Sequence, residues 1–354
     1  MPGAVCECGD AAGSDHRTVS PDGGVRLPVV VVGAGPCGLA AAAALEKAGH
    51  STIVFDRGCL ASSVASYPYY MTFFSTAEKI AIAGVPFPLA DEKPSRRDAL
   101  AYYRSVVTHL GLDVRQYEPV EHVSPRAGGF TVHSRPQGGD VVETQACAVV
   151  VATGYFGTPN RLDVPGEDLP HVAHLYHEGH PGFQRDAIVV GAGNSAAEAA
   201  LDLWHHGARV TLVHFGPTFD KNIKPWVLPD LENRIKDGSI GVQWNARVTA
   251  IETGRVHLEG KDGACILPAQ HVFLMTGFTP NSSLLVSLGV TVDATTGIPA
   301  HDPETMETNT PGVFIAGVLA SGFDANKVFI ENGRGHGALI ANALDASPVR
   351  LQRD

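Results

Sequence analysis

VVVVGAGPCGLAAAAALEKAGHSTIVFD, residues 29–56, decides the fold. Val29 to Val32 read as a buried strand, Gly33, Gly35 and Gly38 as a tight turn, and the small residues after it as a helix ended near Gly49. A second strand then stops at Asp56. This is a βαβ dinucleotide-binding fingerprint with its acidic residue in place. Gly33 permits the turn, Gly35 lets backbone approach a pyrophosphate, and Gly38 lets helix and strand pack closely, with the helix N-terminus facing the phosphates. Asp56 is placed to accept hydrogen bonds from a ribose.

The remaining chain is long enough for two domains, at 354 residues. A hydrophobic content of 44% and a formal net charge of −11 suit an α/β protein with a small-molecule partner rather than nucleic acid or an anionic membrane surface. The six cysteines are scattered and contain no C-x-x-C pair, which fits a reducing cytoplasm. Cys6 and Cys8 invite a metal reading, but no second cysteine or histidine pair stands at finger spacing near them. The apolar run from Leu27 to Leu45 contains the fingerprint glycines and Pro36, so it reads as strand plus helix and not as a membrane span.

Residues 1–27 lack apolar periodicity and read as a tail. The aromatic segment YPYYMTFF, residues 67–74, reads either as a wall against a planar ring or as ordinary core. The spacing in 94–110 predicts a helix with Ser95 as N-cap and Gly111 as C-cap. Residues 130–134 and 141–144 read as a hairpin, and 148–152 as a buried strand ending at Thr153-Gly154. The pattern then repeats: a strand over 186–190, a turn carrying Gly191, Gly193, Asn194, Ser195 and Ala196, a helix closed by Gly207, and a strand ending at His214. Gly33 to Asp56 and Gly191 to His214 have the same spacing, and VVVATGYFGTPN at 149–160 is echoed by VFLMTGFTPN at 272–281. One fingerprint is weak evidence, but two in matched register indicate two related nucleotide-binding domains.

The predicted organisation is α/β, with two Rossmann-like domains, the second inserted into the first. Residues 28–159 and 282–347 form the first and 160–281 the second, with crossings near Asn160 and Asn281. A carboxylate at the end of the second strand bonds a free 2′-hydroxyl and repels a 2′-phosphate. Asp56 therefore suits FAD. His214, followed by Lys221 and Lys224, favours NADPH over NADH, although no arginine follows it nearby. Histidines 171, 174, 177 and 180 recur every third residue, but Pro170 and Pro181 bracket them and no carboxylate pattern accompanies them, so surface or loop positions are expected rather than a metal site.

With both fingerprints in view, the chain resembles the two-dinucleotide flavoprotein reductases of the thioredoxin reductase type, and more closely the YpdA-type bacillithiol disulfide reductases. The resemblance runs from Val29 to Ala343. It is carried by GAGPCG (33–38), MTFFS (71–75), EKPSRRDALAYYR (92–104), VPGEDLP (164–170), GAGNSAAEAAL (191–201), IKPW (223–226) and ANKVFIENGRGHG (325–337). It implies FAD in the first domain, NADPH in the second, a cytoplasmic homodimer or homotetramer, and reduction of a low-molecular-weight disulfide. It also implies cofactor contacts at Gly33, Gly35, Pro36, Cys37, Gly38, Asp56, Arg57, Thr153, Gly154, Gly277, Gly317, Asn326 and Lys327, beside those of the second fingerprint. Two features depart from true thioredoxin reductases: the dithiol pair of the second domain is missing, and the usual Ala-Gly-Asp reads Ala316-Gly317-Val318.

Cys37 is the candidate catalytic residue, since a thiol at a helix N-terminus is favoured as thiolate. Against this, it would pack beside a pyrophosphate, and cysteine is a fair small filler. Two other enzyme readings use the same fingerprints. A flavin monooxygenase would be expected to carry F-x-G-x-x-x-H-x-x-x-W, which is absent. A ferredoxin- or flavodoxin-type NADP reductase would meet acidic partners with an acidic surface. A non-catalytic nucleotide-binding module is the remaining alternative.

Overall fold

The computed structural model of the chain describes residues 18–19, 25–261 and 263–346. Most of the expected tail, with Cys6 and Cys8, and residue 347 lie outside the described residues; within 1–27, Thr18–Val19 and Val25–Arg26 pair antiparallel. Strand β1 (Val29–Val32) is buried along its whole length, as a strand covered on both faces must be. It leads through α1 (Pro36–Lys47) to β2 (Thr52–Phe55). Helix α2 (Arg96–Leu110) precedes β3 (Val114–Arg115). An antiparallel layer follows, β4 (Val120–Arg126), β5 (Gly129–Ser134) and β6 (Val142–Ala146), and then β7 (Ala148–Val151).

The second unit repeats this order. After the short β8 (Val172–Ala173) come β9 (Asp186–Val190), α3 (Asn194–His205), β10 (Arg209–His214), α4 (Leu228–Lys236) and β11 (Ile240–Trp244). An antiparallel layer again follows, β12 (Ala246–Glu252), β13 (Gly254–Gly260) and β14 (Gly263–Ala269), and then β15 (His271–Leu274). The chain closes with β16 (Val313–Ile315) and α5 (His336–Asp345).

Two five-stranded parallel sheets result, in the orders β16-β7-β1-β2-β3 and β8-β15-β9-β10-β11. Position by position they match, except at the outer edge, where the second sheet uses a strand from its own start and the first uses one that follows the whole second unit. The second domain is thus inserted in the first. The passage between them is hydrogen-bonded across itself: Asn160 donates from Nδ2 to the Thr276 carbonyl at 3.1 Å, and the Thr276 hydroxyl donates to the Asn160 carbonyl at 2.6 Å. Pro159 and Phe278 form a bridge there.

The middle of helix α1, Ala40 to Ala44, is all alanine because the helix is buried on more than one side. It packs on the sheet and against α5, where a Cβ on Gly337 would lie 2.5 Å from the Cα of Ala41. No larger residue fits that crossing. The antiparallel layers exceed the single hairpin expected from sequence. In β4 only Val123 is fully buried and Pro125 interrupts the pattern, so the period-2 signal is lost.

The α2 boundaries follow their signals. Ser95 Oγ accepts from the Asp98 amide at 3.2 Å, the Asp98 carboxylate accepts from the Ser95 amide at 2.9 Å, and Gly111 closes the helix at φ +66°. Both orphan amides are satisfied within this capping box. Ser95→Ala is expected to cost about 1 kcal/mol of stability, read as a lowered urea midpoint at unchanged slope.

Candidate functional site

The turn after β1 is shaped by backbone proximity. Gly33 has φ +115°, and a Cβ there would stand 2.4 Å from the Ala152 carbonyl oxygen at the end of β7. A Cβ on Gly38 would fall 1.9 Å from the Gly33 carbonyl oxygen. Gly35 is different, since a Cβ there would meet nothing within 4 Å and would project into open space. No side chain caps α1, so its first amides are left for a ligand. In the second unit Gly191 has φ +139° and a Cβ on it would stand 2.4 Å from the Met275 carbonyl oxygen, while Ala196 takes the place of Gly38 and no side chain caps α3. Both turns have the form that fits a dinucleotide pyrophosphate.

One cleft of about 1290 Å³ joins them, above the ~300–1,000 Å³ usual for a single small-molecule site. Its walls include Gly33, Gly35, Pro36, Cys37, Asp56, Arg57, Thr153, Gly154 and Gly317 from the first domain, with Asn326 of the loop before α5. From the second they include Gly191, Gly193, Asn194, Ser195, His214 and Gly277. Five expected residues do not line it. Gly38 and Ala196 pack behind the turns, Lys221 is exposed, Lys327 pairs with Asp324 at 3.5 Å, and Lys224 lies with its ammonium 4.9 Å from the Phe74 ring centre.

Asp56 is buried and already engaged. Its Oδ2 accepts from the Ala34 amide at 2.8 Å and its Oδ1 from the Gly58 amide at 2.8 Å. Oδ1 also accepts from the Ser62 hydroxyl at 3.4 Å. These bonds fix the carboxylate against the fingerprint turn, and Oδ2 keeps a further lone pair. Arg57 lies against Gly157, whose missing Cβ makes room for the guanidinium.

His214 ends β10 at the position that Asp56 holds after β2, with Trp244 beside it in register. Burial holds its pKa below the ordinary range, Asp220 opposes this, and Arg247 adds to it. His214 is therefore neutral near pH 7. Sequence reading found no arginine here, yet Arg247 on β12 lines the cleft with its guanidinium 4.7 Å from the Phe215 ring centre. It was missed because it is distant along the chain and arrives only through sheet pairing.

The segment 67–74 is core in part and an inter-domain contact in part. Phe73 is buried, whereas Tyr69, Tyr70 and Phe74 are exposed toward the second domain. Tyr69 stacks on His177 at 5.4 Å, and Phe74 meets Trp226 edge-on at 5.8 Å. Lys93 lies 5.5 Å from the Trp226 ring centre, so aromatic and cationic groups fasten the two domains together. The four-histidine run forms no α-helix, and only His180 enters a 3₁₀ turn, His180–Gly182. His174 faces Glu167 at 3.4 Å, and among the described residues no three metal-ligating groups converge.

The pyridine nucleotide-disulphide oxidoreductase model matches residues 30–317. The chain belongs to this family. Bacilliredoxin reductase Bdr of Bacillus subtilis is 42% identical over 318 residues, 90% of this chain and 97% of that protein. The structure of bacillithiol disulfide reductase Bdr (YpdA) from Bacillus cereus superposes with a TM-score of 0.88 at 42% identity, covering 90% of this chain and 99% of that one. Its counterpart from Staphylococcus aureus gives 0.85 at 38%, covering 91% and 98%. Family membership and the paired turns agree that flavin and nicotinamide nucleotides are the cofactors; the Gly35 turn is open to them, whereas the Gly193 turn has the Asp220 carboxylate beside it. The chain is thus a flavin-dependent disulfide reductase.

Cys37 lies at the second position of α1 and lines the cleft, packed against two glycines. A Cβ on Gly333 would stand 2.9 Å from its Sγ, and one on Gly317 would stand 3.2 Å away. Burial pushes its thiol up to about 12, outweighing the helix N-terminus. In this arrangement Cys37 is a thiol at neutral pH. Alkylation of Cys37 by iodoacetamide in the NADPH-free enzyme is expected to quicken about tenfold per pH unit from pH 7 to 10, without a plateau. Peptide mass mapping reads this, and a plateau near pH 8 would show an activated thiolate instead.

Proposed function

We propose that the chain binds FAD in the first domain and NADPH in the second, and reduces bacillithiol disulfide or a similar low-molecular-weight disulfide. The observation that carries this is the single cleft reaching both fingerprint turns, with Cys37 on its wall. Gly33, Gly35 and the first amides of α1 would hold the FAD pyrophosphate, with Asp56 on the ribose. Gly191, Gly193 and Ser195 would hold the NADPH pyrophosphate. When bound, the two cofactors supply the two electrons that a disulfide takes up on becoming two thiols. The chain itself positions them and excludes water from the cleft floor, where Val32, Ala152 and Ala316 are buried. In this reading the protein works as a homodimer or homotetramer in the cytoplasm; among the described residues no helix is long and apolar enough to cross a membrane.

Cys37 is the proposed contact for the disulfide. As thiolate it would attack one sulfur, forming a mixed disulfide and releasing one thiol of the substrate; two electrons then cleave the mixed disulfide and restore Cys37. The burial described above sets a condition on that role, because the sulfur reacts only in a state that exposes it. Anaerobic addition of one equivalent of NADPH is expected to bleach the flavin band, and bacillithiol disulfide to restore it. Unbleached flavin would sink the reductase reading. Cys37→Ala is expected to keep the bleaching and lower turnover of the disulfide by at least about a hundredfold; undiminished turnover would make Cys37 a packing residue.

A further inference from the structure

Resting on the NADPH reading, we infer that Arg247, from the antiparallel layer and not from the loop after β10, is the residue that recognises the 2′-phosphate of the dinucleotide, with Phe215 as its platform. The geometry is local and over-determined. His214 and Trp244 pair at the ends of β10 and β11. The chain then turns at Asn245, whose φ is +54°, and the Asn245 amide donates to the Gly216 carbonyl at 3.0 Å. That bond ties the start of β12 to the loop after β10. Ala246 is buried beneath, and the next residue, Arg247, is delivered over Phe215.

The position past the second strand of such a unit is where the adenosine ribose is read. A doubly charged 2′-phosphate placed there needs a permanent cation with several donors, and a guanidinium presents five N–H groups in a fixed fork. His214 is held neutral by its burial and can give a hydrogen bond but not a charge. Lys224 is turned toward Phe74, and Lys221 does not line the cleft. Asp220 is the opposing charge, with Oδ2 3.2 Å from where a Cβ of Gly193 would be. Arg247 is exposed and makes its ring contact with Phe215, which is itself 60% exposed, so the guanidinium remains open to a ligand.

The test uses the flavin-loaded enzyme and two fragments, 2′,5′-ADP and 5′-AMP, titrated by calorimetry. The wild type is expected to prefer 2′,5′-ADP by at least tenfold. Arg247→Gln is expected to weaken 2′,5′-ADP by about 10- to 100-fold, the scale of a lost charge-assisted hydrogen bond, and to leave 5′-AMP unchanged. Lys221→Gln is expected to change neither. Arg247→Lys is expected to retain part of the preference, which a merely structural role would not produce. Retained preference in Arg247→Gln overturns the assignment while leaving the NADPH reading standing. Equal weakening of both fragments overturns it in favour of a general effect on the cleft. Absence of any wild-type preference overturns the NADPH reading and the assignment with it.

Discussion

The whole arrangement depends on one close approach of backbone to backbone. At the end of β1 the chain turns so tightly that Gly33 stands against the Ala152 carbonyl and Gly38 against the Gly33 carbonyl. An added methyl group at either place would overlap main-chain oxygen, which cannot move aside without parting β1 from β7 or α1 from the sheet. The contact brings the N-terminus of α1 to the C-terminal ends of the central strands, where its free amides and the Asp56 carboxylate face the same space. The second domain repeats it with Gly191 against Met275. Where the first unit needs Gly38, the second accepts Ala196.

Duplication supplies the scaffold, and its asymmetries distinguish the two sites. Asp56 is anchored by two backbone amides, which hold a negative charge at the ribose edge of the first site. His214 at the matching position is uncharged, and positive charge comes from a neighbouring layer. The same fold thus sets a carboxylate at this position in one domain and an imidazole with a guanidinium near it in the other. Cys37 belongs to a third region, where α1 of the first fingerprint meets Gly317 and Gly333 returning from the far end of the chain. Val318 also lines the cleft there.

Features legible in the sequence are those whose causes are local in the chain. The fingerprint glycines, the Ser95 cap, Gly111 and the matched spacing of the two units each arise within a few residues of the signal, and the domain insertion follows from the repeat. What was hidden depends on sheet pairing or on contacts between domains. Arg247 reaches His214 only because β11 pairs with β10 and turns at Asn245. Lys224, adjacent in sequence to the expected site, is drawn away by Phe74 of the other domain. The strand β4 was unreadable because six of its seven side chains are not fully buried. The enclosure of Cys37 was equally silent, since both glycines that enclose it lie about 300 residues away along the chain.

The paired crossing at Asn160 and Thr276 gives the molecule an unusual mechanical property. A domain inserted in another is tethered by two strands, and two separate tethers would permit sliding and shear as well as rotation. Here the tethers are bonded to one another through both side chains and the bridge between Pro159 and Phe278. They behave as a single short axle. The ring contacts between Tyr69 and His177 and between Phe74 and Trp226 stand apart from that axle, so parting the two halves there costs contact between rings and leaves the crossing bonded.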